Sequence, residues 1–175
     1  PVIHSVANAR SPGFLGLLCV MILLGVTHAA EDENAVRLYE RGMKLIAEGD
    51  PEEALERFNT IAKKYRRSAT CALALWEIYR IQEHLGEDMA AFEALNRLAT
   101  EQPGHFEKAH EAQLRLAMRL LGRGPDARRT LVREPVKAKL DPEVLAEMLR
   151  VTIKNGPQSE TGIQAHYHLA LALEK

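Results

Sequence analysis

From residue 35 onward, apolar and polar positions follow the period of an α-helix. Between Ala35 and Ala47 the apolar side recurs at Val36, Leu38, Tyr39, Met43, Leu45 and Ile46, with Gly42 on the same stripe. Three-and-four spacing of this kind marks one buried helical face. Gly49 ends the pattern, because glycine adopts the positive φ that closes a helix. Asp50-Pro51-Glu52-Glu53 opens the next one. Asp caps the free N–H groups, Pro fits the first helical position, and the Glu completes a capping box. That second helix is expected to run to about Lys64, with Lys63, Lys64, Arg66 and Arg67 at the end where the helix dipole favours cations. The first unit is therefore two helices joined by a tight turn.

The unit returns. Gly49, Gly86 and Gly122 stand 37 and 36 residues apart. Ala54, Ala91 and Ala127 keep the same intervals, and so do Phe58, Leu95 and Leu131. Each residue type has a physical reason to recur. Gly makes the turn, the small Ala lets two helices approach, and the large residue four later fills the groove between them. Three markers in one register define a repeat.

The pattern resembles the tetratricopeptide repeat, a helix–turn–helix unit of about 34 residues. Leu38, Gly42, Leu45, Gly49, Ala54 and Phe58 fall on its positions in the first unit; Leu75, Ile78, Gly86, Ala91, Leu95 and Pro103 in the second; Leu114, Gly122, Ala127 and Leu131 in the third. The slightly long period, with Tyr65-Arg66-Arg67-Ser68 and Gln102-Pro103-Gly104-His105 between units, is similar to repeats of bacterial envelope proteins. Among these are the lipoprotein of the outer-membrane β-barrel assembly machinery and the periplasmic coordinator of the Tol-Pal system. The resemblance implies an all-α fold, a right-handed α-solenoid of antiparallel helix pairs, with about seven helices after an N-terminal signal helix. It places three units at about 35–67, 68–103 and 104–133, within a region spanning 30–133. Residues 134–175 fit less well. Pro135 interrupts the third unit, and Asp141-Pro142-Glu143 signals a new helix to about Lys154. Asn155-Gly156-Pro157 stops it, and Ser159 caps a last helix from Glu160 to Lys175. The region is expected to be irregular and to end in an unpaired or capping helix, without a partner in this chain.

The N-terminus changes the picture. Residues 1–29 hold one Arg (Arg10) and no acidic residue, and Phe14 to Val26 is an unbroken run of apolar residues and Gly. Thr27-His28-Ala29-Ala30 then leads into Glu31-Asp32-Glu33. A basic residue, a short apolar stretch and small residues before a cut describe a secretory signal. Thirteen apolar residues fall short of the roughly 20 needed for a span. Residues 1–29 are thus read as a signal peptide cleaved after Ala29, or else an uncleaved N-terminal anchor. The protein is expected to be periplasmic or secreted, in the cell envelope. Cys19 sits inside the apolar run, so the mature chain keeps Cys71 alone, and its stability must come from packing. A formal net charge of −1 carries none of the strong positive charge of a nucleic-acid binder.

Chemical signatures are sparse. There is no Gly-rich phosphate loop, no Gly-x-Ser-x-Gly and no His-Glu-x-x-His. Among the seven His, no pair stands four apart as a helical zinc pair would. No metal, cofactor or catalytic residue is expected, and the chain is read as no enzyme. Cys71 lies on a stripe with Leu75 and Ile78 and reads as a buried thiol. The resemblance implies a concave face, lined by the first helix of each unit, that grips a protein or peptide partner. By register it holds Tyr39 and Met43, then Trp76 and Arg80, then Ala112 and Leu116. Trp, Tyr and Arg are the residue types enriched in binding hot spots. The expected function is a non-catalytic interaction scaffold. The alternatives are an envelope assembly factor associated with outer-membrane or Tol-Pal machinery, or an accessory repeat region of a larger enzyme. The partners so implied are a protein or peptide and further repeats of the same chain, with no nucleic acid, and with membrane only indirectly or through an uncleaved N-terminus.

Overall fold

A computed structural model describes residues 32–121 and 141–173. They form seven α-helices with no strand among them: α1 over 32–48, α2 Pro51–Lys64, α3 Ala69–Leu85, α4 Asp88–Glu101, α5 Phe106–Leu120, α6 Pro142–Asn155 and α7 Glu160–Leu173. A short 3₁₀ turn, Pro103–His105, leads into α5. The signal segment 1–29 and the markers Gly122, Ala127 and Leu131 lie outside the described residues.

The helix ends follow from local chemistry. Gly49 and Gly86 sit at φ +86° and +80°, where a side chain would be strained. Asp50 accepts the Glu53 N–H at 3.1 Å, Asp141 the Glu143 N–H at 3.0 Å, and both are followed by Pro in the first turn. Ser68 accepts the Thr70 N–H, and Ser159 the Gly162 N–H. α4 starts without a side-chain cap.

Each of the helices α2 to α5 packs on its neighbour in sequence, and so do α5 with α6 and α6 with α7. Contacts also skip one helix. Arg97 of α4 donates to the Ala62 carbonyl of α2 at 2.9 Å, and Asn155 of α6 to Asn96 of α4 at 2.9 Å. Arg119 of α5 binds Glu83 of α3, and α5 touches α7. The even helices thus lie in one row and the odd ones in another.

The repeat markers lie where the two rows meet. Ala54 and Ala91 are fully buried, as are Phe58 and Leu95 four residues on. Gly42 of α1 faces the Phe58 ring so closely that a Cβ would stand 2.7 Å from two of its carbons. Tyr39 lies over the same ring at 5.5 Å between centroids. Burying a side chain of this size contributes roughly 2–3 kcal/mol. A second core joins α5, α6 and α7 through Leu114, Leu145, Leu149, Ala165 and Ala172.

The last helix, expected to be unpaired or capping, has neighbours among the described residues. α7 packs along α6 and touches α5. α6 itself lies beside both α4 and α5, the place in the packing that α4 holds beside α2 and α3. The apolar residues of α7 are split between these partners and solvent: Ala165 and Ala172 are buried, while Ile163, Tyr167 and Leu173 are exposed.

Candidate functional site

A groove of about 560 Å³ runs across the odd row, lined by Met43 and Ile46 of α1, Glu77, Arg80, Ile81, Glu83 and His84 of α3, Arg119 of α5, and Pro51. It exists because the C-terminal halves of three successive odd helices lie side by side. Long side chains bridge the gap between them.

Its charges are held in pairs. Arg80 donates through Nη1 to both oxygens of Glu77 at 3.1 Å. The Glu77 side chain is 9% exposed and that of Arg80 61%, so the carboxylate is anchored and the guanidinium reaches solvent. Arg119 splits its fork, Nη1 to Glu83 at 2.6 Å and Nη2 to Asp88 at 2.9 Å. Burial pushes the Asp88 carboxyl above its usual range, against the pull of Arg119. Burial, with the Glu77 carboxylate adding to it, also raises the Tyr39 phenol, and Arg80 draws it back. Beneath the groove, Tyr79 is pushed up to about 12 by burial first and by Glu83 second.

What such a groove can do follows from its lining. Met43 offers a soft apolar contact that adapts to different shapes. Arg80 and Arg119 keep unused N–H donors, suited to the carbonyls and carboxylates of a bound chain. The lining has no Ser, Thr or Cys.

The four site residues read from the sequence divide. Met43 and Arg80 line the groove, and Tyr39 is close enough to feel Glu77 and Arg80. Trp76 is half-buried against the main core, with its ring 5.4 Å from that of Tyr79, and does not line the groove. Ala112 and Leu116, which the 36-residue interval placed beside them, are buried at 1% and 2% exposure. The buried face of α5 instead follows that of α3 by 38 residues, Leu75 matching Gln113 and Ile78 matching Leu116. The 3₁₀ turn before α5 shifts the phase. Arg119 is brought into the groove as a result, and neither it nor Glu77 or Glu83 carries a sequence signal beyond being charged.

Two further clusters serve the fold. His110 is buried, with Nε2 2.6 Å from the Thr152 carbonyl and Nδ1 3.3 Å from Ser159 Oγ. A Ser beside a His invites a nucleophile reading. Ser159, however, takes the Gly162 N–H at 3.0 Å and reaches the Gly156 carbonyl at 2.7 Å, the geometry of a helix cap. Gly156 is needed there, since a Cβ would stand 2.6 Å from His110 Cε1. In the basic stretch 63–67, Arg66 is committed to Glu101, 2.8 Å from Nη2, and Arg97 holds the same carboxylate at 3.0 Å. These bonds hold the Glu101 carboxyl down at about 2. Cys71 is buried, and burial raises its thiol.

Among the described residues, no helix is long and apolar enough to cross a membrane. No family model matches the chain, and no curated protein and no solved structure matches it.

Proposed function

We propose that this chain is a non-catalytic protein–protein interaction scaffold of the bacterial cell envelope, a TPR-like right-handed α-solenoid that binds a partner segment along the face of its odd helices. One observation carries this reading: the groove across α1, α3 and α5, where Met43 and Arg80 meet Arg119. Fixed ion pairs keep its walls in place before any partner arrives, which lowers the ordering cost of binding. The face is apolar at one side and rich in N–H donors at the other, the mixture that recognises an extended polypeptide. Export through residues 1–29 belongs to the proposal, and N-terminal sequencing of the envelope form should begin at Ala30.

The test is site-specific cross-linking in the envelope fraction. A photoreactive side chain at Met43 or Arg80 should give a discrete adduct, and one at exposed Glu56 of α2 should not. Equal adducts from Glu56, or none from the groove, would overturn the reading.

A further inference from the structure

The link between α2 and α3 walls a small cleft rich in positive charge. The cleft holds about 220 Å³ and is lined by Lys63 and Lys64 at the end of α2, by Arg66, Arg67 and Ser68 of the link, and by Asp32 of α1. Four cations thus face one carboxylate. Arg66 is tied to Glu101. Lys63, Lys64 and Arg67 are exposed and make no ion pair among the described residues. Ser68 is 7% exposed, and its hydroxyl accepts the Thr70 N–H while keeping a hydrogen to donate.

The helix end alone does not call for this charge. α4 leads into α5 as α2 leads into α3, yet 37 residues on from Lys63, Lys64, Arg66 and Arg67 stand Thr100, Glu101, Pro103 and Gly104. The last turn of α4 has no basic residue, although its dipole has the same sense. The link is also held still. The Ser68 N–H donates to the Tyr65 carbonyl at 3.0 Å, and Gln102 Nε2 to the Arg66 carbonyl at 3.0 Å. A cleft set in place before its ligand arrives loses less on binding.

We propose that this cleft binds a phosphate group, held by Lys63, Lys64, Arg67 and the Ser68 hydroxyl while Arg66 stays on Glu101. Converging N–H donors suit an ion with three free oxygens and up to two charges. Arg67 offers a planar fork and the two Lys offer point charges. At about 220 Å³ against about 560 Å³ for the groove, the cleft takes a compact group and not a length of chain. It lies at the start of α3 and the groove at its end. The 15 residues from Ser68 to Glu83 span roughly 22 Å at 1.5 Å each, so the inference is independent of the groove.

The probe is inorganic phosphate, titrated into the full chain at low ionic strength and followed by the width of its phosphorus NMR resonance. Saturable broadening is expected, and added salt should reverse it. Lys64→Gln with Arg67→Gln should weaken binding about tenfold, because two unit charges leave the surroundings of the anion. Lys64→Arg with Arg67→Lys should retain it, and Lys108→Gln on α5 should leave it unchanged. All three positions are exposed, so circular dichroism should match the parent. Co-sedimentation with phosphatidylglycerol vesicles separates the sources of the phosphate. Uptake that the Gln double variant loses assigns a lipid headgroup, and uptake absent or unaffected by it assigns a soluble phosphate ester. No binding of inorganic phosphate, binding that the Gln double variant keeps, or equal binding of acetate overturns the inference.

Discussion

Replacing Glu101 by Gln tests what ties one helix pair to the next. Glu101 ends α4, and its carboxylate is held by Arg97 of its own helix and by Arg66 of the link before α3. These bonds bring the carboxyl from its usual 4.5 down to about 2. A drop of that size corresponds to an upper bound of roughly 3 kcal/mol at about 1.4 kcal/mol per pH unit. The Glu101 side chain is 23% exposed and that of Arg66 61%, so solvent screening reduces the figure to about 1–2 kcal/mol. The folded form has the lower value. The contribution is therefore complete above pH 4.5 and is lost as pH falls from there toward 2. Urea denaturation of parent and Glu101→Gln, followed by circular dichroism at neutral pH and at several steps down to about pH 2.5, should show the parent more stable at neutral pH and the gap closing in acid. A gap that is absent at neutral pH, or that persists unchanged in acid, would refute the reasoning.

Asp88 should behave in the opposite sense. Its carboxyl is raised by burial despite the Arg119 pair, so the parent loses stability relative to Asp88→Asn as pH rises through the carboxylate range. At neutral pH the substitution should cost under about 1 kcal/mol in a urea titration. Gly42→Ala sets helix propensity, a gain of up to about 1 kcal/mol, against a Cβ 2.7 Å from the buried Phe58 ring. Overpacking of about 1–3 kcal/mol should win, and a raised urea midpoint would contradict the close approach of α1 and α2. Trp76→Ala removes a ring packed on the main core and should cost about 2–3 kcal/mol of stability. Met43→Glu should instead spare the melting temperature and remove the groove adduct.

Helix placement was legible because helix ends are decided within a few residues. Asp50-Pro51, Asp141-Pro142 and Ser159 each satisfy an N–H group of their own first turn, and Gly49 and Gly86 each reverse φ at one position. The buried markers Ala54, Phe58, Ala91 and Leu95 were legible for a related reason, since a repeated contact leaves the same residue type at a fixed interval. The groove was legible only in part. Met43 and Arg80 came from counting along the repeat, and the count carried no further than α3, because the 3₁₀ turn at Pro103–His105 rotates α5 and brings Arg119 to the groove in place of Leu116.

By itself, the sequence determined the helical character of the described residues, several of the helix ends and the buried markers of α2 and α4, because capping and three-to-four periodicity are properties of a single segment. Only the tertiary structure decided that α6 lies beside α4 and α5, that α7 is paired yet open on one flank, and that Glu77, Glu83 and Arg119 share one groove. Those facts depend on which segments meet in space, and an ion pair between residues 83 and 119 leaves no periodic trace in either helix that contributes to it.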